Sequence, residues 1–145
     1  MTEVPEIFAA LQKARVRYLL VGGLASVLHG VPRTTLDVDL LLPATRASVV
    51  RALRALRGLG LVPDADDPDD VLGVGGVSLS NGIQVDLITD VPGAKFADLW
   101  KRREVIVHEG VRIPLISRKD QVRLLRRVGR AKDKEDADHL SDERG

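Results

Sequence analysis

Asp37 and Asp39 stand one residue apart in the apolar run TTLDVDLLLP (34–43). Asp is depleted in strands and is almost never buried without a partner, so two of them here need a reason. Side chains alternate along a strand. Both carboxylates therefore leave one face, with Cα atoms ~6.5 Å apart, while Val38, Leu40 and Leu42 take the other. Two like charges this close repel unless something positive lies between them. A divalent cation is the simplest remedy, and Mg²⁺ suits it, favouring oxygen ligands and keeping waters and substrate phosphates as its remaining partners. A third acid is on offer in IQVDLIT (83–89), where Asp86 alternates with Val85 and Leu87. If the two strands are neighbours, the three acids converge. Such a triad can hold two ions ~3.5–4 Å apart for in-line phosphoryl displacement. Structural readings stand beside this one: Asp37 capping a turn, Asp39 paired with an arginine, Asp86 exposed on its strand.

In LLVGGLASVLHG (19–30), Gly22-Gly23 separates a strand-like run from a helix-like one. Glycine lets a backbone approach a ligand closely, and a helix start favours phosphate. Tight packing explains the same pair. No Walker A pattern occurs in the chain.

These groups need elements to hold them. VPEIFAALQKARV (4–16) reads as a helix with Pro5 in its first turn, and RYLLVGG (17–23) as a short buried strand. LASVLHG (24–30) gives about two helical turns, ending at Gly30. LDVDLLL (36–42) is a strand. TRASVVRALRALRGLG (45–60) is an amphipathic helix with Val49, Val50, Leu53 and Leu56 on its apolar stripe. PDADDPDD (63–70) reads as a solvated loop and GVGG (73–76) as a strand-entry turn. Asn81-Gly82 between two alternating runs is a strong hairpin signal. AKFADLWKRR (94–103) is a short helix, with Phe96 and Trp100 in ordinary packing. VIVHEGVRIPLI (105–116) is a second hairpin turning near Glu109-Gly110. Two terminal helices, or one bent helix, follow, with Ser117 as N-cap. The expected order is α β α β α β β α β β α α. That is an α/β (α+β) class, a mixed sheet flanked by helices, forming one domain over 1–145 with a C-terminal helical segment at 117–140.

Composition narrows the function. The chain has 145 residues, 44% hydrophobic but only 3% aromatic. The core must be aliphatic, and base stacking on single strands has few aromatics to use. Net charge is +1, so no global field favours nucleic acid. Locally, 117–132 holds seven cations against one acid, and the residues that follow are mostly acidic. The arginines at 123, 126, 127 and 130 spread around their helix, either as a solvated face or as a clamp for phosphate or a tRNA-like acceptor. There is no Cys, which excludes thiol nucleophiles and zinc–thiolate sites. His29, His108 and His139 are scattered; His29 reads as a capping or packing residue. No apolar run approaches membrane-spanning length and no leader is evident, so a cytoplasmic protein without a membrane partner is expected.

Taken together, the strand, Gly22-Gly23, a helix, Arg33-Thr34-Thr35, Asp37-Val38-Asp39 and the later Asp86 resemble the DNA polymerase beta-like nucleotidyltransferase superfamily. Within it, the small bacterial AbiEii-like toxin and minimal nucleotidyltransferase groups are similar. The ending ISRKDQVRLLRRVGRAKDKEDADHL (116–140) looks like their terminal helices, where a Gly-Arg-x-x-Asp stretch follows a helix. The resemblance implies a nucleotidyltransferase-like fold and transfer of a nucleoside monophosphate from an NTP, with Mg²⁺ or Mn²⁺. In that reading Asp37 and Asp39 bind both metals, Asp86 completes the second site and helps activate the acceptor hydroxyl, and Gly22 and Gly23 cradle phosphates. Arg33 binds phosphate, with Thr34 and Thr35 orienting its loop. The acceptor would be RNA, such as tRNA, or a partner protein, and a toxin–antitoxin pair is the implied setting. Relatives often carry a Lys in the helix before the Gly-Arg-x-x-Asp stretch. Here it reads QVRLLRRVGR, with Arg126 or Arg123 in its place, and the two cations are not interchangeable. The alternative is a catalytically degenerate nucleotide-binding or antitoxin-type module.

Overall fold

The computed structural model describes residues 2–142; positions 1 and 143–145 of the expected domain lie outside them. Helix α1 (Val4–Lys13) leads into β1 (Leu19–Val21), α2 (Gly22–Leu28), β2 (Asp37–Leu41) and α3 (Arg46–Arg57). Then come β3 (Val62–Pro63), α4 (Pro68–Val74), β4 (Gly76–Ser80) and β5 (Gln84–Ile88). The chain continues through α5 (Phe96–Lys101), β6 (Glu104–His108), β7 (Val111–Leu115), α6 (Arg118–Val128) and α7 (Ala131–Asp142). The expected order holds with two additions. The two-residue β3 pairs with β4 at an edge. The acidic stretch expected as a loop is half helix, because Asp67 caps α4, Pro68 opens it, and Asp69 and Asp70 sit in the first turn, where acids suit the helix dipole.

The seven strands form one mixed sheet in the order β3-β4-β5-β2-β1-β7-β6. The two sequence-predicted hairpins are there: β4 with β5 across Asn81-Gly82, and β6 with β7 across Glu109-Gly110. Glu109 and Gly110 both have positive φ, as a two-residue I′ turn requires. The centre is β2 between β1, antiparallel to it, and β5, parallel to it. Strand β1 is buried along its whole length, which fits three consecutive aliphatic residues.

The core is aliphatic. Ile7 and Leu11 of α1, Leu19 and Leu20 of β1, Leu40 of β2, Val49 and Leu56 of α3, and Val85 and Leu87 of β5 are all fully enclosed. A second, smaller cluster of Val31, Val122, Leu125, Ala137 and Leu140 joins α6 to α7 and to the segment after α2. The C-terminal segment is two helices, divided at Gly129. Among the described residues no helix is long and apolar enough to cross a membrane.

Candidate active site

Register brings the acids together. Parallel pairing sets Asp39 directly beside Asp86, and Asp37 beside Gln84. Antiparallel pairing sets Val21 against Asp39 and Ser78 against Asp86. One row thus crosses four strands as Ser78–Asp86–Asp39–Val21, and the chain after Val21 turns at once through Gly22. Neighbouring strands lie ~4.8 Å apart, so the two carboxylates stand within reach of one another.

Their electrostatics show the crowding. Asp39 is pushed up from 3.8 to about 7, first by burial, then by a side-chain hydrogen bond with Asp86 and by the charges of Asp86 and Asp37; the Gly23 backbone opposes the rise. Asp86 is held by its own neighbours. Its Oδ1 accepts from Ser78 Oγ (2.5 Å) and Gln84 Nε2 (3.1 Å), and its Oδ2 from Gln84 Nε2 (3.2 Å). Gly22 has φ +71°, and a Cβ there would overlap Asp39, 2.8 Å from its Cγ. Only glycine lets the turn come this close to the carboxylate.

Asp37, Asp39, Asp86, Gly22, Gly23 and Thr35 line one cavity of about 820 Å³, with Asp64, Asp70 and Asp90 adding further negative charge around it. Among the described residues, no three acidic or histidine side chains close round a single point as ion ligands. The donor set nevertheless fits a hard divalent cation. It consists of carboxylate oxygens only, and Asp39 and Asp86 stand side by side in register, where a cation would offset both charges.

The other predicted residues divide. Thr35 faces the cavity, and its Oγ1 accepts from the Asp37 backbone N–H (3.4 Å). Thr34 is exposed and does not line it. Arg33 does not line the cavity; it donates to Asp136, a lining carboxylate only 2% exposed on α7. Burial pushes Asp136 up, and Arg33 and Lys132 work against that. Arg126 does not line the cavity: it points along α7 to Ser141 Oγ (3.0 Å) and Asp138 (3.8 Å). Arg123 is bound to Asp120 (3.3 Å). His29 makes a packing contact, its Nε2 2.8 Å from the Ile116 carbonyl, while its own carbonyl accepts from Arg118.

Of the arginines expected as a solvated face or a phosphate clamp, Arg130 lines the cavity and donates to Asp133 (2.8 Å). Other residues of the site were not legible beforehand. Gln121, fully buried on α6, donates from Nε2 to the Gly22 carbonyl (2.9 Å) and to Ser26 Oγ (3.0 Å), clamping the glycine turn from behind. Ser78 and Gln84 hold Asp86. Only the two hairpin residues carried a signal, through the cross-strand register that Asn81-Gly82 implies.

No protein-family model and no curated protein matches the sequence. Solved structures do. A Thermotoga maritima protein regarded as a nucleotidyltransferase superposes with TM-score 0.65 at 18% identity, over 97% of this chain and 91% of its own. The lincosamide antibiotic adenylyltransferase LnuA, solved with lincomycin bound, gives 0.64 at 20% identity over 97% of each chain. The antibiotic-resistance factor ANT(2'')-Ia gives 0.64 at 17% identity, over 98% of this chain and 82% of that one. At these identities the likeness is one of fold, and the fold is that of nucleotidyltransferases.

Proposed function

We propose that this chain is a divalent-cation-dependent nucleotidyltransferase that moves a nucleoside monophosphate from an NTP to a hydroxyl acceptor, releasing pyrophosphate. One observation carries the reading: Asp39 and Asp86 in register on parallel strands, with Asp37 on the same strand face and the Gly22 turn packed against them, in one cavity. The fold shared with antibiotic adenylyltransferases supports it.

Asp37, Asp39 and Asp86 would hold Mg²⁺ or Mn²⁺. When bound, the ion neutralises phosphate charge and orients the α-phosphate for in-line attack. The chain's own groups do the rest. The glycine turn lets the triphosphate approach the backbone. The acceptor oxygen bonds to the α-phosphorus as the bond to the bridging oxygen breaks, and its proton passes to a carboxylate, the role proposed for Asp86. Ser78 and Gln84 keep Asp86 oriented.

RNA or a protein hydroxyl is the proposed acceptor, with a toxin–antitoxin pair as its setting. A small molecule is the alternative suggested by the antibiotic-modifying neighbours. A binding-only, antitoxin-type reading also has an observation in its favour. Arg130, which lines the cavity, is tied to Asp133, and Arg33 is tied to the lining residue Asp136, which leaves Lys132 as a cavity-lining cation without an ion pair among the described residues.

Incubation with α-labelled NTPs, Mg²⁺ and either tRNA, cell extract or a lincosamide separates these. Transfer of label is expected, with Asp39→Ala reducing it by roughly a hundredfold or more, the scale of losing electrostatic stabilisation of the transition state. Labelling by Asp39→Ala equal to wild type overturns the enzymatic reading.

A further inference from the structure

A second cavity, about 350 Å³, opens at the opposite end of β1. Strand β1 delivers Val21 and Gly22 to the acidic site with its C-terminal end, whereas Arg15, Arg17 and Tyr18 precede its first residue. There they meet the end of α5 and the β6–β7 hairpin. Arg15, Arg17, Arg103 and Arg112 all line this cavity and are exposed. None forms an ion pair with a described residue, in contrast to Arg33, Arg102, Arg123 and Arg130. Four unneutralised guanidiniums around one concavity make a local positive field that a net charge of +1 conceals.

The cavity continues onto an unpaired sheet edge. Strand β6 ends the sheet, so its outer backbone groups have no strand partner. Val105 and Val107 alternate onto one face, 40% and 60% exposed, beside Pro114 and Arg112 of β7. Proteins blunt such an edge with charged residues, proline or a bulge; β6 reads EVIVH, with one charged residue, Glu104, at its start and neither lysine nor proline along it. A free edge gives main-chain hydrogen bonds to an added strand, and flanking pockets read alternate side chains.

We propose that the β6 edge and the arginine-lined cavity beside it dock an extended acidic segment of a partner protein, which adds as a strand outside β6. Its carboxylates face Arg17, Arg103 and Arg112, and small apolar side chains cover Val105 and Val107. A second copy of this chain fits poorly, since two β6 edges would crowd both arginine clusters together. RNA fits less well than peptide. The Trp100 ring already holds Phe96 at 5.6 Å and the guanidiniums of Arg17 and Arg103 at 5.0 and 3.9 Å, so it has no face left for a base, and a phosphate backbone gains nothing from exposed valines. The proposal is independent of the catalytic reading.

Fluorescence anisotropy on the full chain tests it, with a labelled peptide of alternating Glu and Val as probe. Saturable binding is expected, weakened about tenfold by the double variant Arg17→Ala/Arg103→Ala, the scale of two exposed ion pairs. A backbone N-methylated version of the peptide should not bind, since strand addition needs its N–H groups. Nucleotidyl transfer of the double variant should match wild type and its thermal unfolding should stay cooperative, lowered only by the loss of the two contacts to the Trp100 ring, which separates lost docking from lost folding. The proposal is overturned by absent binding, by equal binding of a Lys-Val peptide or of the N-methylated peptide, by preference for oligouridine over the acidic peptide, or by sedimentation showing the edge occupied by a second copy.

Discussion

Asp39 is raised to about 7 because it is partly enclosed, hydrogen-bonded to one carboxylate and near another. The unfolded chain would ionise it at its ordinary 3.8. The folded, cation-free state therefore binds this proton more tightly than the unfolded state does, and stability must fall as pH rises between about 4 and about 7. Thermal melts in chelator should show this decline, and Asp39→Asn should flatten it. A divalent cation competes for the same oxygens and releases the proton, so its affinity should climb across that window and level off above it. Calorimetric titration with Mn²⁺ at several pH values checks the sign; affinity that falls with pH would contradict the assignment of Asp39 as a ligand.

At the scale of elements, α6 sets the back of the glycine turn through Gln121, so what anchors α6 matters to the site. Ser117 Oγ accepts from the Asp120 N–H (3.1 Å) as its N-cap. Asp120, although burial works against its charge, is held below the usual carboxylate range by hydrogen bonds from Arg102 and Ser117. Ser117→Ala should cost about 1 kcal/mol in urea unfolding, with a weaker nucleotide complex as the turn loosens. The cap was legible in the sequence, as were both hairpins and the pairing of Asp39 with Asp86 on neighbouring strands, because alternation and turn chemistry are local signals; Asp37 shares their cavity but stands beside Gln84. Helix α4 was missed because its acids were weighed as solvated charge, when Asp67 and Pro68 are start signals. The expected roles of Arg33 and Arg126 met a different obstacle. Whether an arginine faces a ligand or a neighbour depends on α7, whose acids lie about a hundred positions away from Arg33 and have no pattern tying them to it. Gln121, a single polar residue among leucines and arginines, gave no local sign that its amide would find a carbonyl ninety-nine positions upstream.

On the scale of the whole molecule, two hydrophobic clusters divide the labour. The larger one lies along the sheet and includes α1 and α3. The smaller, with Ala137 and Leu140 fully buried, seats α7 so that Asp133 and Asp136 stand at the cavity. Leu140→Ala should cost about 2–5 kcal/mol by leaving a void in a cluster with few members to collapse into it. Amide exchange should show α7 opening before the sheet does. The seating of α7 also bears on when the protein becomes competent. A domain generally folds as a unit. The carboxylate row lies on strands that end by residue 88, yet β1 also pairs with β7, Gln121 holds the glycine turn, and the wall opposite depends on residues near 137. Synthesis must therefore run almost to the end of the chain before the acids can stand in an enclosed trench.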